Sequence, residues 1–302
     1  MKERRVAIVG AGVMGRLHAR AIARRAERFA DCRLALVIDR HPDRAERVTE
    51  EFGGQSVEPG DVDWSEIDAA VVATPTLGHA EVARGLMGRG LDVLIEKPMA
   101  LDVAEAQGLA GLAEESGCIL QVGHTEWYNA AWRRAIDRAG SPRSIEVERL
   151  APRSDRGLDI DVVQDFMLHD LDWVSRIVGD ELVGLEARGR AIHNSAIDEA
   201  EVELRFATGC TARLRASRVH PEPLRRVRIE GADGVAEADL FAAPSAGEEE
   251  GGEVEPLDAQ WADFLQACAA KGAGERRTGR CVGGRARRAS AERHRSRDGG
   301  RR

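Results

Sequence analysis

Lysine is nearly missing from this 302-residue chain: of 44 basic residues, only Lys2, Lys97 and Lys271 are not arginine. Aromatic residues are also scarce, at 4 % with a single tyrosine, Tyr128, although 43 % of the chain is hydrophobic and a sizeable core is affordable. No stretch approaches the roughly 18 consecutive apolar residues of a membrane span, which excludes a spanning helix. The opening Met1-Lys2-Glu3-Arg4-Arg5 runs directly into an apolar segment without a signal-peptide core, so a cytoplasmic protein is expected. Cys32, Cys118, Cys210, Cys268 and Cys281 are scattered, odd in number and without CxxC spacing. That pattern argues against a disulfide framework and against a zinc site, and no metal is expected. A net charge of -8 disfavours nonspecific nucleic-acid binding.

The length suits two domains of ordinary size. Val6-Ala7-Ile8-Val9 reads as a buried strand, and Val13, Met14, Leu17, Ala21 and Ile22 follow at helical spacing. Strands are predicted at 34–38, 69–73, 93–95 and 119–122, with helices at 44–52, around 81–87 and at 103–115. Apolar strands alternating with helices predict a doubly wound parallel sheet, a Rossmann domain over 1–122. Beyond residue 123 the pattern changes to period two, at Ile145/Val147/Arg149, Val202/Leu204/Phe206, Ala212/Leu214/Ala216 and Val227/Ile229. Thr208-Gly209 and Asp233-Gly234 are hairpin turn pairs. A mostly antiparallel open sheet with one long helix over 162–178 is expected, an α+β substrate and oligomerisation domain over 123–270.

Two segments stand apart. Glu248-Glu249-Glu250 with Glu253 and Glu255 make an acidic loop, and residues 271–302 are rich in arginine and glycine. Helical periodicity over Trp261–Cys268 stops at about Gly272, so the tail is expected to be disordered and to replace a terminal helix. A shifted reading frame in GC-rich DNA would give such a composition; a basic nucleic-acid arm is the competing reading.

Gly10-Ala11-Gly12-Val13-Met14-Gly15 joins the first strand to the first helix, where glycines permit a tight turn and helix amides can face a pyrophosphate. The pattern is weak by itself and gains weight from its place. Asp39 ends the second strand, where an acid accepts hydrogen bonds from ribose hydroxyls and favours NAD; Arg40 beside it leaves NADP admissible. Thr74-Pro75 follows the fourth strand at the sheet's carboxyl edge, where Thr74 and His79 could touch ribose or nicotinamide, or His79 could simply start a helix. Glu96-Lys97-Pro98 closes the fifth strand, where Glu96 and Lys97 are further candidate cofactor contacts. Lysine there is a compact point charge suited to hydrogen bonding a reacting hydroxyl, although a snorkelling strand-end lysine is the plainer alternative.

Together, Gly10-x-Gly12-x-x-Gly15, Glu96-Lys97-Pro98 and Asp165-x-x-x-His169-Asp170 resemble the glucose-fructose oxidoreductase / inositol dehydrogenase (Gfo/Idh/MocA) family over about residues 4 to 270. The resemblance implies NAD(P)-dependent oxidation of a sugar-type secondary alcohol, a homo-oligomer (dimer or tetramer), and a catalytic trio of Lys97, Asp165 and His169. The residues agree chemically: His169 can take the alcohol proton, Lys97 can polarise the hydroxyl, and Asp165, four positions before His169, can orient the imidazole and favour its protonated form. A solvated stripe of Asp165, His169, Asp172 and Arg176 is the structural alternative.

A finer resemblance, over Gln121–Asn129, Arg149–Pro152 and Asp159–Asp170, is to the branch of that family holding UDP-N-acetylglucosamine 3-dehydrogenases. Trp127, Tyr128 and Ala130 depart from its arginine, phenylalanine and proline, which leaves the sugar open between a nucleotide-sugar, a free sugar and an inositol or other polyol. His124, Trp127 and Tyr128 are candidate substrate contacts, the two aromatics being equally suited to interdomain packing. Arg153 and Arg156 could bind a diphosphate bidentately or lie on the surface. A catalytically dead NAD-binding sensor is the remaining alternative. The exposed face of the second sheet, with its Val, Leu and Phe alternation, is expected to form the oligomer contact.

Overall fold

The computed structural model describes residues 3–154, 160–193, 195–241, 254–272 and 281–282. The acidic run at 248–253, Arg156, and the tail except for 271–272 and 281–282 lie outside the described residues; where the tail is described it is ordered, ending a helix at 272 and adding a short strand at 281–282, against the expectation of disorder there.

The first sheet is parallel, with strand order β13-β6-β5-β4-β1-β2-β3. Its strands are β1 (Arg4–Val9), β2 (Cys32–Ile38), β3 (Gln55–Val57), β4 (Ala69–Val72), β5 (Asp92–Ile95), β6 (Leu120–Val122) and β13 (Cys281–Val282). Every residue of β4 and β5 is buried, as near-continuous apolar strands must be when helices cover both sheet faces. Alternate residues feed two cores. Val6, Ile8, Val71 and Leu94 pack with α1 (Val13–Phe29) and α2 (Pro42–Phe52). Ala7, Ala70, Val72, Val93 and Ile95 pack on the other face with α3 (His79–Met87) and α4 (Val103–Ser116).

The second sheet has order β12-β11-β7-β10-β9-β8 and is antiparallel except between β7 (Pro142–Leu150) and β10 (Thr211–Ser217). Its other members are β8 (Leu182–Arg190), β9 (Glu199–Phe206), β11 (Leu224–Gly231) and β12 (Val235–Asp239). Both expected hairpins form, with Gly209 and Gly234 at φ +83° and +139°. The Val, Leu and Phe alternation is core. Val202, Leu204, Phe206 and Leu214 pack under Trp132 and Ala135 of α5 (Ala130–Ala139) and Trp173 and Val174 of α6 (Leu168–Val178). The outward face is instead a ladder of ion pairs such as Arg205–Glu186, Arg213–Glu201 and Arg226–Glu148. An oligomer contact on that face would thus be charged, not apolar.

Helix α7 (Pro256–Gly272) lies in the segment that the sequence assigns to the second domain, yet Trp261, Phe264, Leu265 and Cys268 are buried in the core with α1 and β1. Burying each large apolar side chain stabilises by about 1.5–3 kcal/mol, which draws the chain back to the first sheet. The rare Lys271 ends this helix on the buried carboxylate of Asp92, at 2.7 Å.

Candidate active site

Strand order reverses between β2 and β4 on either side of β1, so the loops after β1 and β4 border the crevice where doubly wound sheets bind ligands. Gly10 has φ +102°, and a Cβ there would lie 2.4 Å from the Ala73 carbonyl oxygen. A Cβ on Gly15 would lie 1.9 Å from the Gly10 carbonyl oxygen. These two glycines let helix, strand and loop approach. Gly12 differs: nothing lies within 4 Å of its Cβ position, and it caps α1 without a side-chain acceptor. The first amides of α1, beside the half-buried Met14 and the exposed Val13, remain available to a phosphate.

Asp39 already braces this turn. Its Oδ2 accepts from the Ala11 amide at 2.7 Å and its Oδ1 from the His41 amide at 2.8 Å. Each carboxylate oxygen still has a lone pair for a ribose hydroxyl. Arg40 is exposed next to it. Across the crevice, the Thr74 hydroxyl is buried without a hydrogen-bond partner among the described residues, and Pro75 is exposed. Open space at Gly12, free helix amides, an acid ending β2 and an orphaned hydroxyl after β4 together fit a dinucleotide. His79 and Glu96 do not join them. His79 is 1 % exposed, with Nδ1 and Nε2 each 2.8 Å from a carbonyl oxygen, of Pro98 and Thr74. A ring N–H donates to one of these carbonyls while the buried ring packs against both loops, so it braces the crevice instead of reaching a cofactor. Glu96 is 6 % exposed, its Oε1 2.9 Å from His18 Nε2.

Strand β5 carries Lys97 to the same edge, where the Lys97–Pro98 peptide bond is cis. Its Nζ donates to the Asp165 carbonyl oxygen at 2.7 Å and to Asp165 Oδ1 at 3.2 Å, across the junction of the two domains. The long helix expected over 162–178 opens as a π-helical turn, Val163–Met167, before α6 begins. Such a turn displaces the usual backbone ladder, and the lysine takes Asp165. Helical spacing pairs Asp165 with His169 and favours a protonated imidazole; the structure departs from both. Burial first, then the charges of Lys97, Arg149, His124 and Arg225, hold His169 well below the ordinary histidine value. Its Nδ1 has no hydrogen-bond partner among the described residues. A neutral imidazole beside a lysine ammonium, at the mouth of a dinucleotide crevice, can accept a proton while the lysine steadies an oxygen.

Comparison with known proteins settles the ancestry of this arrangement. Residues 4–124 match the model of the oxidoreductase family with an NAD-binding Rossmann fold, GFO/IDH/MocA, and residues 129–237 match the GFO/IDH/MocA C-terminal domain. The chain belongs to the Gfo/Idh/MocA family. It is 38 % identical over 238 residues to the UDP-N-acetylglucosamine 3-dehydrogenase of Acidithiobacillus ferrooxidans, covering 78 % of this chain and 74 % of that one. The solved structure of that enzyme superposes with a TM-score of 0.78 at 35 % identity, over 89 % of this chain and 90 % of the other. The scyllo-inositol 2-dehydrogenase (NAD(+)) of Bacillus subtilis is 27 % identical over 246 residues, 72 % of this chain and 68 % of its own.

Within this Gfo/Idh/MocA site the remaining candidates divide. His124 Nε2 lies 3.7 Å from Asp172 Oδ1. Burial, then Arg176, push His124 down to about 4, and burial raises Asp172 to about 6, so at neutral pH a neutral ring faces the carboxylate. Trp127 meets two guanidinium groups, of Arg133 at 4.6 Å and Arg176 at 5.1 Å from its ring centroid. The Tyr128 hydroxyl is engaged within the protein, donating to Asp263 Oδ2 at 2.6 Å and accepting from Gln121 Nε2 at 3.2 Å, which suits the packing role. Arg153 is exposed, 3.3 Å from His193 Nδ1.

Sequence reasoning overlooked a buried ion network under His169. Arg149 donates twice to Asp170, at 2.8 and 2.6 Å, and Trp173 Nε1 joins Asp170 at 3.2 Å. Glu126 pairs with Arg149 and Arg225 and accepts from Trp132 Nε1 at 2.9 Å. Burial opposes its charge, but the two arginines prevail and hold its carboxyl below the ordinary value. One signal was present: Arg149 shares the inward register of Ile145 and Val147, and a charge on a core face needs a buried partner.

Proposed function

We propose that this chain oxidises a secondary hydroxyl of a nucleotide-activated amino sugar with NAD, as a UDP-N-acetylhexosamine 3-dehydrogenase-like enzyme. The carrying observation is that Lys97, on the sheet edge that bears the glycine turn, bonds the π turn leading into His169, whose ring is kept uncharged by burial and neighbouring cations. An ammonium has three donors; two go to Asp165, and the third remains for the substrate oxygen. That bond stabilises negative charge as the alcohol O–H breaks, an effect worth about 10²–10³ in turnover for a preorganised donor. His169 accepts the hydroxyl proton, for which its neutral state is required. NAD, when bound along Gly10–Gly15, supplies the acceptor for the hydride leaving the same carbon, and a ketone results. Asp39 would accept from the adenosine ribose hydroxyls, and the unpartnered Thr74 hydroxyl would hydrogen-bond the nicotinamide end. His124, Trp127 and Arg153 border the sugar side.

The nucleotide-sugar assignment rests on likeness to the Acidithiobacillus enzyme, which exceeds that to inositol dehydrogenases. Cys32, Cys118, Cys210 and Cys268, buried and free, suit a reducing cytoplasm. A dimer or tetramer would pair the arginine–glutamate face of the second sheet. The reading is tested by NADH absorbance with UDP-N-acetylglucosamine, free N-acetylglucosamine and myo-inositol. Turnover is expected first with the nucleotide-sugar. Preference for inositol would move the assignment to polyols, and NAD binding without turnover on any of the three would overturn it in favour of a sensor.

A further inference from the structure

Beneath Lys97 runs a buried polar chain that the proposed chemistry does not use. Trp261 Nε1, on α7, donates to His18 Nδ1, on α1, at 3.1 Å. Indole is a donor only, so His18 Nδ1 is the acceptor and the proton of a neutral ring sits on Nε2. That nitrogen lies 2.9 Å from Glu96 Oε1, and Glu96 Oε2 accepts from the backbone amide of Lys97 at 3.3 Å. His18 and Trp261 have no exposed surface. Gly123 leaves room for the carboxylate, since a Cβ there would lie 2.9 Å from Glu96 Oε1.

We propose that Trp261 and His18 are positioning residues for Lys97, acting through Glu96; the inference rests on the role given to Lys97 above. A buried carboxylate is tolerated only where donors hold it, and its donors here are the His18 ring and the amide of Lys97 itself. The indole selects the tautomer in which the ring donates. Without that selection, the ring can present a lone pair to the carboxylate, Glu96 shifts, and the backbone of Lys97 shifts with it. Helix α7 reinforces the same edge elsewhere: Gln260 Nε2 donates to the Val122 carbonyl at 3.2 Å, and Asp263 holds Tyr128. A helix from the chain's last described third therefore sets the geometry at the sheet edge without touching substrate.

The test uses the full chain, with Trp261→Phe, His18→Leu, His18→Gln and Lys97→Ala assayed for kcat per NAD-binding site, NAD affinity and melting temperature. Displacements of about 1 Å can cost up to 10²-fold in rate, so Trp261→Phe and His18→Leu are expected to lose about tenfold or more in kcat with NAD affinity kept. His18→Gln retains a donor toward Glu96 and is expected to recover most of that loss. Wild-type kcat in Trp261→Phe would overturn the inference, as would His18→Gln being no better than His18→Leu. Should His18→Leu fail to fold, Trp261→Phe, which keeps an aromatic ring in place, decides. An active Lys97→Ala would instead sink the underlying reading. An inactive Lys97→Ala beside a fully active Trp261→Phe sinks the relay alone.

Discussion

Lys97 Nζ donates to two oxygens of a single residue, the carbonyl and the carboxylate of Asp165. The acid that helical spacing would give to the histidine serves the lysine, which holds one ammonium proton ready and leaves His169 neutral.

The three glycines of the first turn should separate by role. Gly12→Ala meets no protein atom within 4 Å and has φ -73°, so stability should stay within about 0.5 kcal/mol of the parent. Its methyl occupies phosphate space, and NAD affinity should fall about tenfold or more. Gly10→Ala and Gly15→Ala collide with backbone and should destabilise the fold itself. Urea titration and NAD fluorescence titration check both halves, and unchanged NAD affinity in Gly12→Ala would place the cofactor elsewhere.

The acid limb of kcat/KM should lie below the usual histidine range. His169 must be unprotonated to act as base, and burial with neighbouring cations lowers its folded pKa. Turnover should therefore persist as pH falls through about 6.5 and decline only under more acidic conditions. A limb at or above that pH in a kcat/KM profile would show that His169 is protonated as the sequence alone suggested.

Asp172 and His124 should offset each other in acid. His124 is lowered from 6.5 to about 4, so in that window the unfolded chain binds more protons and stability falls as pH falls. Asp172 is raised from 3.8 to about 6, so between those values the folded chain binds more protons and stability rises as pH falls. Asp172→Asn removes the opposition, and its acid loss should be steeper than the parent's by up to about 1.4 kcal/mol per pH unit. Urea midpoints from pH 7 to 4 measure this, and parallel curves for the two proteins would contradict it.

Both sheets, the hairpins and the glycine turn were legible because each rests on local pattern: buried runs, period two, and φ > 0 residues at turns. Helix α5 was passed over although Trp132, Ala135 and Ala139 line one buried face, and strand β8 escaped notice because most of its residues are exposed. At the site, Lys97 and His169 were identifiable from motifs, but partner choice was not. Asp165 turns to Lys97, 68 residues away, through a π turn that spacing rules cannot see. His79 and Glu96 looked like cofactor contacts because they follow the right strands, yet tertiary packing buries both.

The network under His169 should be fragile to half-removal. Arg149→Met leaves Asp170, 2 % exposed, and Glu126 short of their cation, and breaking a buried pair in this way costs about 3–5 kcal/mol. Chemical denaturation should show a loss of that order, and a loss under about 1 kcal/mol would mean that water compensates the carboxylates.

The central claim is that Lys97 and His169 act on the substrate hydroxyl while neither is needed to hold NAD. Single-turnover reduction of prebound NAD by UDP-N-acetylglucosamine in Lys97→Ala and His169→Ala tests it most directly. Each variant should bind NAD as the parent does and lose about 10²-fold or more in the hydride step. Parent-like hydride transfer in both would contradict the account.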